Sequence, residues 1–250
     1  MNDDFYIGYL EKSPSALARH TRKLLFALAM VVTGLAALLA ALQTPADPGT
    51  FEFGVKRTFE GVLHEGPLPM LRSVSPAGFV TNYLLVGAGK HGLPAFARGH
   101  HGEQVRFQGS LIQKGKGVLV ELNDPDSFLA LGRPPTPETR PAHEVLKEVV
   151  LTGELVDTKC YFGVMRPATG KVHRGCAARC LSGGVPPGLL LRDNDGGAVV
   201  VLLSGPNSQP LRFDAGWAAR LVQAEGRLTW RGSFPCLEVT QLSLADPEHE

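Results

Sequence analysis

The chain has 250 residues, a net charge of +1 and 44% apolar residues, with 29 glycines, 19 prolines and only 7% aromatics. That length leaves room for a membrane anchor and one or two small domains. The near-neutral charge gives no sign of a concentrated basic face, so no nucleic-acid partner is expected; the apolar content excludes a disordered chain, and the glycines and prolines suit short strands joined by turns.

Residues 1–23 form a short tail in which Phe5, Tyr6, Ile7, Tyr9 and Leu10 cluster. Such a cluster reads as an interfacial aromatic belt or as a docking segment for a partner membrane subunit. Residues 24–42, LLFALAMVVTGLAALLAAL, carry no charge. That is about the roughly 20 residues a helix needs to cross a hydrocarbon core. A secretory signal has a shorter apolar stretch and a small-residue cleavage site, and LLAALQTPAD fits that pattern poorly, so the segment reads as an uncleaved single-pass anchor. Lys12, Arg19, Arg22 and Lys23 precede the span, whereas residues 43–53 contain Asp47 and Glu52 and no lysine or arginine. Positive residues stay cytoplasmic. The expectation is an inner (cytoplasmic) membrane protein with its N-terminus inside and everything from about residue 43 in the periplasm or outside, where conditions are oxidising.

The rest of the chain contains two similar halves, residues 50–130 and 147–246. VRFQGSLIQKGKGVLVEL (105–122) aligns without a gap on VQAEGRLTWRGSFPCLEV (222–239), setting Gly109 on Gly226, Leu111 on Leu228, Leu119 on Cys236 and Glu121 on Glu238. Each reads as strand, glycine-containing turn, strand. Upstream, FEGVLHE (59–65) resembles LTGELVD (151–157), and YLLVGAG (83–89) corresponds to VVVLLSG (199–205). Two tandem small barrels of the OB type are therefore expected, with a single sandwich built from both halves as the alternative. The proline-rich, polar stretch 131–146 reads as the linker. The fold class is mainly β, behind one N-terminal transmembrane helix.

The halves differ at one place. Phe59 and Tyr83 stand 24 positions apart, but Leu151 and Val199 stand 48 apart. The added length is an insertion over 157–188, DTKCYFGVMRPATGKVHRGCAARCLSGGVPPG, holding Cys160, His173, Cys176 and Cys180. The first half has no cysteine. Residues 172–181 suit a two-turn helix stopped by Gly183, Gly184, Pro186 and Pro187. On a helix, His173, Cys176 and Cys180 share one face, and Cys160 can fold back onto them.

Three readings of the insertion stay open. An even cysteine count in an exported domain points to two disulfides among Cys160, Cys176, Cys180 and Cys236, which would offset the entropy of ordering the loop. Alternatively, Cys160, His173, Cys176 and Cys180 form a metal set suited to zinc or copper. In the third, two cysteines cycle between thiol and disulfide, with His173 stabilising the Cys176 thiolate. The haem motif CxxCH and Rieske-type ligand pairs are absent.

The insertion also carries a string, DxKCY followed by G, HxxCAxxC and xxGGxPP. Here it is formed by Asp157, Lys159, Cys160, Tyr161, Gly170, His173, Cys176, Ala177, Cys180, Gly183, Gly184, Pro186 and Pro187. It resembles a segment of uncharacterised bacterial membrane-anchored or exported OB-like β proteins, sometimes associated with redox enzymes. The resemblance implies an accessory or assembly role in a membrane-associated electron-transfer complex, with another membrane or periplasmic subunit as partner. The expected function is thus a non-catalytic accessory subunit, with a zinc, copper or thiol-redox carrier as the alternative.

Weaker signals have simpler readings. His91, His100 and His101 lie in one loop without a cysteine or carboxylate to complete a metal set. Gly87, Ala88, Gly89 and Lys90 lack the full phosphate-loop spacing. Asp193, Asn194 and Asp195 lack the distal glutamate of a calcium loop. Ser182 and Ser204 have no nucleophile elbow.

Overall fold

The structure is a computed structural model that describes residues 13–42, 47–134, 147–193 and 197–245. The aromatic cluster of the tail and most of the linker lie outside the described residues. Two units divide the chain, Met1–Ala46 and Asp47–Glu250.

In the first unit a single helix, α1 (Ser15–Leu42), runs for 28 residues, about 42 Å at 1.5 Å per residue. It is long and apolar enough to cross a membrane. It starts nine positions ahead of the uncharged stretch, so its first turns carry Arg19, His20, Arg22 and Lys23.

The second unit is built from strands. The first barrel uses β2 (Arg57–His64), β3 (Met70–Val74), β4 (Val80–Gly87), β5 (Gln104–Lys114) and β6 (Gly117–Leu122). Short strands β1 (Thr50–Phe51) and β7 (Leu129–Ala130) add to β5. The second barrel uses β8 (Lys147–Asp157), β9 (Pro187–Arg192), β10 (Ala198–Ser204), β11 (Leu221–Arg231) and β12 (Phe234–Leu244). Pairing is the same in both. The first strand pairs antiparallel with the second, the second with the third, and the fourth with the fifth. The third runs parallel to the fifth, and the fourth returns to the first and closes the ring. This is the five-stranded OB order. The single-sandwich alternative does not hold.

Equivalent positions keep equivalent partners. Leu84 faces Leu119 in the first barrel, and Leu202 faces Cys236 in the second. Along β11, exposed and buried residues alternate from Leu221 to Arg227, as a strand with one face on a core requires. The second strand of each barrel, β3 and β9, escapes the repeat read from sequence. β9 begins inside the segment assigned to the insertion, so the added length is a loop between β8 and β9, where the first barrel has only a short turn between His64 and Met70.

Three apolar cores result. Phe59, Leu63, Leu71, Leu85, Val105 and Phe107 centre the first barrel, and Leu155, Leu189, Leu203, Val222 and Leu237 the second. The third core is shared between the barrels. It joins Leu68, Met70, Leu84, Ile112 and Leu119 of one to Val156, Leu190, Leu202 and Phe234 of the other, with Cys160, Tyr161, Phe162 and Cys180 of the loop between them.

A candidate thiolate site where the loop meets the first barrel

The loop opens at the end of β8 with Asp157, whose Oδ1 accepts the Cys160 backbone N–H at 2.8 Å. This bond turns the chain into one wide helical turn, Cys160–Val164. Tyr161 and Phe162 on that turn are buried against the first barrel. Lys114 Nζ lies 4.0 Å from the centre of the Tyr161 ring, and the Phe162 ring fills the space that a side chain at Gly117 would need. A short turn at Lys171–His173 leads into α2 (Arg174–Ser182). Gly184, at a φ of 88°, takes the left-handed conformation that ends the helix, and its N–H donates to Leu181 O at 3.1 Å. Pro186 and Pro187 then lead into β9.

Cys176 and Cys180, one turn apart on α2, face Cys160. The Cys160 sulfur is 3.9 Å from each, and the three sulfurs lie within 4.8 Å of one another. All four cysteines are free thiols, so the disulfide framework expected from the even count is not formed. The separation of 3.9 Å is almost twice a disulfide bond of about 2.04 Å. Cys236 sits instead on β12, buried, with its thiol 3.6 Å from Phe234 O.

His173 does not join the thiols as a fourth member. Its Nε2 lies 3.1 Å from Asp157 Oδ2, and both side chains are buried. Asp157, Cys160 and His173 form a second close group that shares Cys160 with the first. The face that α2 presents is therefore divided: two cysteines turn to Cys160, and the histidine turns to the carboxylate that also positions Cys160.

Two lysines cross between the barrels in opposite directions. Lys159, between Asp157 and the first thiol, is only 1% exposed and ion-pairs with Glu121 of β6. Its ammonium also donates to Gly87 O at 2.6 Å and Gly89 O at 2.7 Å. Lys90, in the turn after β4, reaches the other way, with Nζ 2.7 Å from Cys176 Sγ and 3.8 Å from Cys180 Sγ. The backbones lock beside it, Gly92 N–H donating to Gly183 O at 3.0 Å. A methyl on Gly92 would run into Gly184 O, and one on Gly183 into Lys90 O.

These contacts split the thiols electrostatically. The hydrogen bond with Cys180, and then burial, push the Cys160 thiol up. The same bond draws Cys180 down, assisted by the Lys90 charge and opposed by burial. The hydrogen bond to Cys176 raises Lys90, which holds its ammonium form beside the sulfurs. Cys236, with no such partner, is pushed up to about 12 by burial. Three sulfurs converging on one point beside a fixed cation can hold a soft metal ion.

The three thiols are legible in the sequence, and Asp157 and Lys159 stand in the string around them without a role, whereas Lys90 and Glu121 are not legible as parts of the site. The signal was a charge at the end of an apolar strand, Glu121 in GVLVEL. The other weak signals resolve as hydrogen-bonded structure. The carbonyls of Gly87 and Gly89 face Lys159, His100 Nδ1 lies 2.9 Å from Glu103 Oε2, and His101 Nδ1 accepts the Glu65 N–H at 3.1 Å.

No protein-family model matches the chain, and no curated protein does. Among solved structures, a deletion variant of the single-stranded DNA-binding protein from Thermus aquaticus is similar. It is 14% identical, with 83% of this chain and 94% of that chain covered, at a TM-score of 0.21. A score that low carries no argument about what this chain binds.

Proposed function

We propose that the chain is a membrane-anchored metal-binding protein that serves as a non-catalytic accessory subunit of a membrane-associated redox complex. The convergence of Cys160, Cys176 and Cys180 as free thiols carries this reading. Zinc and copper are the ions such a donor set suits. The positive flank ahead of the apolar helix supports a periplasmic location for the barrels, where three adjacent thiols without a metal would be prone to oxidation. The accessory role follows from the resemblance of the loop string to that of proteins associated with redox enzymes.

The test uses the full chain, purified in detergent without oxygen. Metal content and free thiols are counted before and after removal of the metal with a chelator. The expected result is one zinc or copper per chain and three thiols that become reactive only on its removal. A metal-free protein whose three loop thiols react at once, and which takes up neither ion, would refute the metal reading. A thiol-redox carrier is favoured by one observation, the approach of the Cys160 and Cys180 sulfurs to 3.9 Å. It predicts a reversible disulfide between those two in a mildly oxidising buffer.

A further inference from the structure

We propose that this site is a three-coordinate, all-sulfur site for Cu(I), and that Lys90 of the first barrel keeps divalent ions out of it. The proposal rests on the metal-site reading and names the ion.

Distance comes first. An ion about 2.3 Å from each sulfur requires sulfurs about 4.0 Å apart in a flat triangle and about 3.8 Å apart in a tetrahedron, by geometry from that bond length, so the number of donors decides between them. Cys160 already stands 3.9 Å from both other sulfurs. Zinc in a closed site needs a fourth donor to complete its tetrahedron, whereas soft thiolate ligands select Cu(I).

The fourth donor is withheld. Among the described residues the three-thiol group includes no further ligating side chain, and the Asp157 and His173 atoms within 4.8 Å of the Cys160 sulfur form a group of their own. His173 is the nitrogen that could come closest, and its Nε2 is held by Asp157 Oδ2 at 3.1 Å. Asp157 is fully buried, and its other oxygen already holds the Cys160 N–H. Swinging the ring to the thiols would leave that buried carboxylate oxygen without its partner, which costs more than an ordinary hydrogen bond gains.

The remaining side of the triangle is covered by Lys90, 2.7 Å from Cys176 and 3.8 Å from Cys180. A protonated lysine has no lone pair to offer a metal. Its charge repels a divalent ion twice as strongly as a monovalent one at the same distance. Cys176, the half-buried thiol, is the side from which an ion enters. Loading exchanges thiol protons for the ion: the protons go to solvent, and copper and sulfur keep their oxidation states.

The test loads the full chain, in detergent and without oxygen, from a copper(I)–bicinchoninate complex, and reads the copper environment by X-ray absorption. Zinc affinity is measured in parallel. The expected result is one copper per chain with three sulfur neighbours and no nitrogen, unchanged in His173→Asn. Lys90→Leu should keep the copper environment while binding zinc about tenfold tighter, since a tenfold gain needs only about 1.4 kcal/mol of relieved repulsion. Nitrogen in the copper shell of the native chain, a ligand lost in His173→Asn, or zinc affinity unchanged in Lys90→Leu would overturn the proposal. Failure to bind either ion would overturn the metal reading itself.

Discussion

Lys159→Met removes an ammonium that is buried at the join of the two barrels and leaves three acceptors behind. In the native chain that ammonium serves the Glu121 carboxylate and the carbonyls of Gly87 and Gly89. The side chains of Lys159 and Glu121 are only 2% and 7% exposed, so solvent screens the pair little. Breaking a buried pair by deleting one partner costs about 3–5 kcal/mol, because the remaining charge is stranded. That is a large share of a domain's total stability, about 5–15 kcal/mol. The double variant Lys159→Met/Glu121→Leu removes the stranded charge and leaves only the two carbonyls, so it should lie at least about 2 kcal/mol above the single variant. Urea unfolding of the full chain in detergent, with a chelator present to remove metal linkage, measures both. Both tryptophans, Trp217 and Trp230, lie in the second barrel, so their fluorescence follows that barrel while far-UV circular dichroism follows both. The two transitions should coincide in the native chain and separate in Lys159→Met. A cost below about 1 kcal/mol, or a double variant less stable than Lys159→Met, would refute the view that this pair joins the barrels.

Three further outcomes are expected. In a timed iodoacetamide reaction on the metal-free chain, followed by mass spectrometry, the half-buried Cys176 should be modified first, and Cys236, pushed up to about 12 by burial, only on unfolding. Gly92→Ala should lower the urea midpoint and tighten zinc binding together, because the added methyl meets Gly184 O and forces Lys90 away from Cys176; a lower midpoint with unchanged zinc affinity would show that Lys90 does not depend on this contact. Cys236 also predicts an alkaline slope. Its thiol ionises near 8.5 in the unfolded chain but near 12 in the folded one, so the unfolded state loses its proton first. The stability it contributes is complete below the unfolded value and falls as pH rises toward the folded value. Cys236→Val should flatten that slope relative to the native chain, as read from unfolding midpoints taken at several pH values between those two limits.

Much of the architecture is legible in the sequence because it depends on local pattern. The apolar stretch of α1, the alternation along β5 and β11, and the gapless match of 105–122 on 222–239 all follow from side-chain periodicity. The second strand of each barrel is not legible in that way. β3 reads MLRSV and β9 reads PGLLLR, short runs with no clean alternation, and both are strands because neighbours on either side pair with them. The site shows the same division. Cys160, Cys176 and Cys180 stand out by residue type and spacing. The helical spacing also suggested that His173 would join them, but a shared face does not decide which neighbour a side chain meets. Asp157 decides it. Lys90 and Glu121 could not be assigned to the site from sequence, since each lies far along the chain and only the docking of one barrel on the other brings it there.

That docking also changes the account of the loop's stability. Ordering each backbone residue costs about 1–2 kcal/mol, and the even cysteine count suggested that covalent cross-links offset this cost. The first barrel does so instead. It receives Tyr161 and Phe162 in the shared core, accepts Lys159 into a buried ion pair, and pairs Gly92 with Gly183. The two copies of the repeat have diverged to make this possible. Glu121 is buried and pairs with a lysine of the other barrel, whereas its counterpart Glu238 makes an exposed pair with Arg227 of its own barrel at 2.8 Å. Leu119 packs in the shared core, and so does its counterpart Cys236. A loop held by packing and charge, and not by disulfides, can keep its three sulfurs as thiols. The first barrel, which has no cysteine, is thus a condition of the thiol site, and a chain lacking residues 50–130 should lose both the order of the loop and its affinity for the ion.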